Sequence, residues 1–130
     1  MKIISVVGAR PNFIKIAPFQ RYIQTHNQKA KLPHIEHILV HTGQHYDDAM
    51  SEAFFRELNI TQADINLNIG SGSHAEQIGK TMIAFEKILE TEKPDWVVVV
   101  GDVNATLACA VPTKKLGINL CHIEAGLRSN

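Results

Sequence analysis

A chain of 130 residues has the size of one domain built around a single core. Its 45% hydrophobic and 20% charged residues are globular proportions, which exclude a disordered tail, a collagen-like fibre and a coiled coil. Thirteen Lys plus Arg balance thirteen Asp plus Glu, so the formal net charge is zero, without the basic surplus expected of a nucleic-acid or anionic-membrane binder.

The N-terminal apolar stretch, Met1 to Val7, is too short for a signal peptide and runs straight into Gly8. No apolar run approaches the roughly 20 residues of a membrane-spanning helix. Lys2–Val7 is a β-branched run, as expected of a strand buried on both faces. Pro11 suits the first turn of a helix reaching Thr25, with Ile14, Ala17, Tyr22 and Ile23 toward the sheet and Pro18 bending it. A second strand fits Ile35–His41, followed by a helix near Asp48–Leu58 with Met50, Ala53, Phe54 and Leu58 on one stripe. Ile65–Ile69 reads as a short strand. Ser73-His74-Ala75-Glu76 matches a capping box and opens a helix that carries Ile78, Met82, Phe85 and Leu89 as core to about Glu92. Trp96–Val100 is the most strand-like segment. Asn104–Leu116 is a helix interrupted by Pro112 and closed by Gly117, and Asn119–Ile123 is a last strand. Cys109 and Cys121 show neither disulfide nor zinc spacing and are expected to be buried, inert thiols in a reducing cytoplasm. The alternation of apolar strands and helices predicts an α/β fold, a Rossmann-like, doubly wound parallel sheet over residues 1–130.

Ligands of such a sheet sit beyond the carboxyl ends of its strands. Gly8-Ala9-Arg10-Pro11, Thr42-Gly43-Gln44-His45, Gly101-Asp102-Val103-Asn104 and Glu124-Ala125-Gly126-Leu127-Arg128 all occupy that edge, each with a glycine that lets a ligand approach the backbone. Arg10, with Lys15 a turn and a half further on, is either an anion contact at a helix start or a solvated charge in a tight turn. Asp102 and Glu124 are the first acidic residues after consecutive strands. Neighbouring strands would bring the two carboxylates over one crevice, where they can divide acid and base roles. The alternative makes Asp102 a helix cap and pairs Glu124 with Arg128. Seven histidines show no metal-ligand spacing, so no metal site is expected; His45 is instead placed for ligand contact. Gly70-Ser71-Gly72-Ser73 lacks the lysine of a phosphate-binding loop and reads as a flexible lead into a capped helix.

Four segments, in order and each at a strand end, resemble the bacterial non-hydrolysing UDP-N-acetylglucosamine 2-epimerases. They are Val7-Gly8-Ala9-Arg10-Pro11-Asn12-Phe13-Ile14-Lys15-Ile16-Ala17-Pro18, His41-Thr42-Gly43-Gln44-His45-Tyr46-Asp47, Gly101-Asp102-Val103-Asn104-Ala105-Thr106-Leu107-Ala108 and His122-Ile123-Glu124-Ala125-Gly126-Leu127-Arg128. The resemblance takes in Pro18 and, through Lys15, points to the non-hydrolysing branch. Some members of that family carry Glu where this chain has Asn12.

The resemblance implies the N-terminal half of a two-domain GT-B fold, with the C-terminal, UDP-binding half absent from this chain. It implies a cytoplasmic isomerase, homodimeric at full length, that serves cell-envelope polysaccharide synthesis and converts UDP-N-acetylglucosamine to UDP-N-acetylmannosamine. The C1–O bond to UDP breaks, the C2 proton is lost, and 2-acetamidoglucal is reprotonated on its other face before UDP returns. No cofactor is implied. Asp102 and Glu124 become the acid/base pair, Arg10, Lys15 and Arg128 substrate contacts, and Gln44 and His45 contacts to a second, activating UDP-N-acetylglucosamine. Two other functions fit the same fold: a non-catalytic nucleotide-sugar binding domain, and the N-terminal half of a GT-B glycosyltransferase.

Overall fold

The structure, a computed structural model, describes residues 1–8, 10–29, 33–43, 56–57, 63–70, 72–100 and 104–123, with backbone alone at 10, 11, 104 and 105. In chain order the elements are β1 (Lys2–Val7), α1 (Arg10–Asn27), β2 (Glu36–His41), β3 (Ile65–Asn66), α2 (His74–Glu92), β4 (Trp96–Val100), α3 (Asn104–Lys115) and β5 (Asn119–Ile123). The expected helix near Asp48–Leu58 lies outside the described residues except at Arg56 and Glu57, which are helical.

The five strands among the described residues are all parallel, in the order β3-β2-β1-β4-β5. β1 and β4 are interior strands, which is why their sequences are apolar almost without interruption. Alternate residues feed two cores. Ile3, Val7, Leu39, Val98 and Val100 pack against Phe13, Ile16, Ala17 and Ile23 of α1. Ile4, Val6, Val40, Val97 and Val99 pack on the other face against Phe85 and Leu89 of α2 and Cys109 of α3. The step from β1 to β2 runs one way across the sheet with α1 on one face, and the step from β4 to β5 runs the opposite way with α3 on the other face. Opposite directions on opposite faces share one hand, so the sheet is doubly wound as expected.

Several expectations need correction. Ile14 and Tyr22 do not face the sheet; they are 49% and 65% exposed. Apolar residues surround α1, so spacing alone left its rotation open, and the buried stripe runs through Phe13, Ile16, Ala17, Gln20 and Ile23. α1 also starts at Arg10 and runs to Asn27 rather than Thr25. Pro18 lies within it on the exposed side, where water can take the hydrogen bond that its ring cannot make. Cys121 is exposed, not buried. It pairs with Val98 and shares that residue's face of the sheet, but β5 is the edge strand and no described helix covers it there. Cys109 is buried as expected, and burial pushes its thiol pKa well up, which keeps it unreactive.

β3 ends at Asn66 rather than at Ile69, because Asn68 turns into the left-handed region at φ 54°. The capping box at Ser73 is present: its hydroxyl accepts the Glu76 N–H at 3.1 Å, and the Glu76 carboxylate accepts the Ser73 N–H. That hydrogen bonding holds the Glu76 carboxyl below its ordinary pKa. Ile78 and Met82 are half-buried, whereas Phe85 and Leu89 are core.

Candidate functional site

Strand order decides where a ligand can bind. The chain leaves β1 toward β2 on one side and enters β4 on the other, so the winding reverses between β1 and β4. Such a switch point opens a crevice at the carboxyl edge, because the connections on its two sides diverge to opposite faces. Gly8 leaves β1 there, and the segment carrying Asp102 leaves β4 there. β5 is the next strand out, in register with β4 so that Val100 stands opposite Ile123. Asp102 follows Val100 by two residues and Glu124 follows Ile123 by one, so the strands that lead to them are neighbours, about 4.8 Å apart. On the other side β2, paired so that Val7 stands opposite His41, leads to Gln44 and His45. Asp102, Glu124, Arg128, Gln44 and His45 themselves lie outside the described residues.

Two helices begin beside this crevice, from opposite faces. α1 starts at Arg10 and α3 at Asn104, and neither has an acidic residue in its first turn. Their helix dipoles therefore leave the edge favourable to an anion. α2 differs, because Ser73 and Glu76 take up its first donors. Arg10 contributes the first helical residue at the β1 exit. Lys15 is exposed on α1, about 7.5 Å further along the helix axis.

Three polar side chains brace the strand exits, two of them buried, and sequence reasoning gave them no role. Asn12, only 4% exposed, accepts the Gly8 N–H through Oδ1 at 3.0 Å. Thr106 donates from Oγ1 to the Val100 carbonyl at 2.7 Å, tying the first turn of α3 to the end of β4 just before the Asp102 segment. Beyond β2, Leu67 donates to the His41 carbonyl, Ile69 to Thr42 and Gly70 to Gly43, at 2.8, 3.0 and 3.1 Å. Asn66 Oδ1 accepts the Asn68 N–H at 2.8 Å, and Asn66 Nδ2 lies 3.4 Å from His41 Nδ1. Gly43 is fixed within this clasp at φ 84°, and a Cβ on it would lie 2.8 Å from the Asn68 Cα. The segment bearing Gln44 and His45 thus begins from a rigid point. The signal for these residues was present as short amides and hydroxyls close to glycines, but their partners are backbone groups that only the fold identifies.

Other concave regions lie elsewhere. A groove of about 310 Å³ between α1 and β2 opens at the amino end of the strands, lined by Gln20, Asn27, His34, His37 and Asp64. Among the described residues, no group of three or more His, Cys, Asp or Glu side chains is close enough to hold a metal ion. No helix among them is long and apolar enough to cross a membrane.

Comparison with known proteins identifies a family. The family model described as UDP-N-acetylglucosamine 2-epimerase matches residues 27–130. A UDP-N-acetylglucosamine 2-epimerase homolog from Methanococcus maripaludis is 51% identical over 99% of the chain and 34% of its own length. A UDP-2,3-diacetamido-2,3-dideoxy-D-glucuronate 2-epimerase from Pseudomonas aeruginosa is 43% identical over 99% of the chain and 35% of its own length. The crystal structure of Methanocaldococcus jannaschii UDP-GlcNAc 2-epimerase in complex with UDP-GlcNAc and UDP superposes with a TM-score of 0.87 at 47% identity, covering 99% of this chain and 34% of that one. The chain spans about a third of the length of the curated relatives it matches. With four fifths of its residues inside the family model and relatives aligned along nearly its whole length, the chain belongs to the UDP-N-acetylglucosamine 2-epimerase family.

Proposed function

We propose that this chain is the N-terminal, Rossmann-like half of a two-domain GT-B enzyme that interconverts UDP-N-acetylglucosamine and UDP-N-acetylmannosamine by inverting C2. The observation that carries this reading is the adjacency of β1, β4 and β5 beside the switch point, in a chain of this family. It supports the reading because the strands that precede Arg10, Asp102 and Glu124 end side by side at one edge.

In the proposed reaction the C1–O bond breaks and UDP departs with both electrons. One carboxylate of the Asp102/Glu124 pair takes the C2 proton, and the C–H electrons form the C1=C2 bond of 2-acetamidoglucal. The other carboxyl group returns a proton to the opposite face of C2 as the UDP oxygen re-adds at C1. Proton loss and gain balance and no electrons are transferred overall, so the reaction calls for no redox cofactor. Arg10, Lys15 and Arg128 offset the charge of the departing diphosphate and orient the sugar. Gln44 and His45 serve a second, activating UDP-N-acetylglucosamine. In this reading the full-length protein is a cytoplasmic homodimer that supplies cell-envelope polysaccharide synthesis.

The relative that acts on a 2,3-diacetamido glucuronate favours a second reading, in which the same inversion takes place on a more substituted UDP-2-acetamido sugar. Both readings are tested by expressing the full reading frame that contains this chain and incubating it with each nucleotide sugar in D₂O. The expected result is deuterium at C2 and appearance of the second epimer. Asp102→Asn should slow exchange by about 100-fold or more, the scale of a lost general acid or base. Unchanged exchange in Asp102→Asn would remove that residue from the chemistry. Saturable binding without exchange in the wild type would instead support a binding domain, and sugar transfer to an acceptor would support a glycosyltransferase.

A further inference from the structure

We propose that Asn12 is a positioning residue for this site: its side-chain amide fixes the β1–α1 turn that presents Arg10, and does so without adding negative charge beside the anion. The proposal rests on the epimerase reading for what Arg10 does, but its structural basis is independent of it. Gly8 is buried and is the first residue past β1. The β2 ladder closes at Val7 opposite His41, and the β4 ladder at Val6 opposite Val99, so neither neighbouring strand pairs with Gly8. Asn12 Oδ1 takes the Gly8 N–H at 3.0 Å from four residues further on, and Asn12 is itself 4% exposed. The bond spans Ala9-Arg10-Pro11, in which Pro11 already fixes one backbone angle and has no N–H to offer. Two constraints therefore act on the entry into α1, at whose first position Arg10 stands.

The acceptor could have been a carboxylate, as it is at the Ser73–Glu76 box of α2. At α1 it is an amide instead, and no acidic residue stands in the first turn. The helix end and Arg10 thus keep their positive potential for a ligand.

The test uses the full-length enzyme and three measurements: kcat, KM and hydrogen–deuterium exchange of the Gly8 amide. Asn12→Ala should speed Gly8 exchange and lower kcat about tenfold or more with KM within about threefold, because a misplacement near 1 Å at a reacting site can cost up to 100-fold in rate. Asn12→Asp keeps the acceptor at the same reach. It should restore Gly8 protection and bring kcat back to within about threefold of wild type, with a raised KM for the anionic substrate. The proposal is overturned if Asn12→Ala leaves kcat within about twofold, if its Gly8 amide exchanges as in wild type, or if Asn12→Asp loses as much kcat as Asn12→Ala. An unchanged KM in Asn12→Asp would overturn the charge argument. If Asn12→Ala does not fold, Asn12→Asp decides alone, since a fall in its kcat beyond about tenfold contradicts the role of the acceptor. A wild type that exchanges no C2 proton would defeat the epimerase reading, while Gly8 exchange would still report on the hydrogen bond.

Discussion

His37 and His41 both lie on the α1 side of β2, where they meet different neighbours. His41 packs against Phe13, with ring centroids 5.4 Å apart. His37 stands edge-on to Phe19 at 5.8 Å and hydrogen-bonds through Nε2 to Ser5 Oγ at 2.7 Å. Burial lowers the His37 pKa below 6.5, and the nearby Asp64 carboxylate opposes that shift without cancelling it. Well above 6.5, from about pH 7.5 upward, the ring is neutral in both folded and unfolded chains, so pH has no leverage through it. As pH falls through 6.5 the unfolded chain takes up the proton first, and stability declines until the folded pKa is passed. Thermal melts of the wild type should therefore fall between about pH 7.5 and 5.5, before most carboxylates titrate. His37→Gln, which can still bond Ser5, should flatten that slope; an equally steep slope in the variant would show that other groups cause it. Arg10, Asp102 and Glu124 stand out in the sequence because each comes within three residues of the end of an apolar strand. Asn12 and Thr106 do not, because their partners are backbone groups at the end of the preceding strand. No composition or period marks which carbonyl or N–H lies within reach.

At the scale of elements, the exits of the strands matter more than the strands. β3 contributes two residues, yet the chain continues beside β2 through three further backbone hydrogen bonds to Gly70. Gly43 sits where that continuation presses closest. An added Cβ there meets Asn68 backbone atoms at 2.8 and 2.9 Å, and φ 84° is itself unfavourable for a side chain. Gly70 is the natural control, because it also has positive φ, 75°, but open space around it. Gly70→Ala should cost about 1 kcal/mol from backbone strain alone. Gly43→Ala should cost about 1–3 kcal/mol more, measured by denaturant unfolding, because backbone cannot move aside as a flexible side chain can. Equal costs would show that the clasp is loose. Interior strands, the capping box and the Gly117 helix end were readable because burial on both faces, reciprocal caps and positive-φ glycines leave local signatures. The rotation of α1 was not. Phe13, Ile14, Ile16, Ala17, Phe19, Tyr22 and Ile23 surround the helix, and only the sheet beneath selects the buried subset.

At the scale of the whole molecule, folding and catalysis make different demands on the same 130 residues. The two cores close both faces of β1 and β4, and apolar side chains from every helix bounded in the structure enter them. A two-faced core of this kind is enough for cooperative unfolding without another domain. Expressed alone, the chain should unfold in one transition, with Trp96 fluorescence and far-UV circular dichroism coincident. Trp96 is a useful probe because it pairs with Ile3 of β1 and Asn119 of β5 and so senses the centre and the edge of the sheet together. Catalysis by elimination also requires that UDP and the glucal be held together away from water, which needs a crevice closed on both sides. In the proposed enzyme the carboxyl edge would form one wall, with two helix starts and a few cations set against a net charge of zero. The isolated chain should therefore catalyse no C2 exchange above background, while the full reading frame does. Exchange by the isolated chain at a rate near that of the full protein would show that one wall suffices, and non-coincident transitions would show that the sheet depends on residues beyond it.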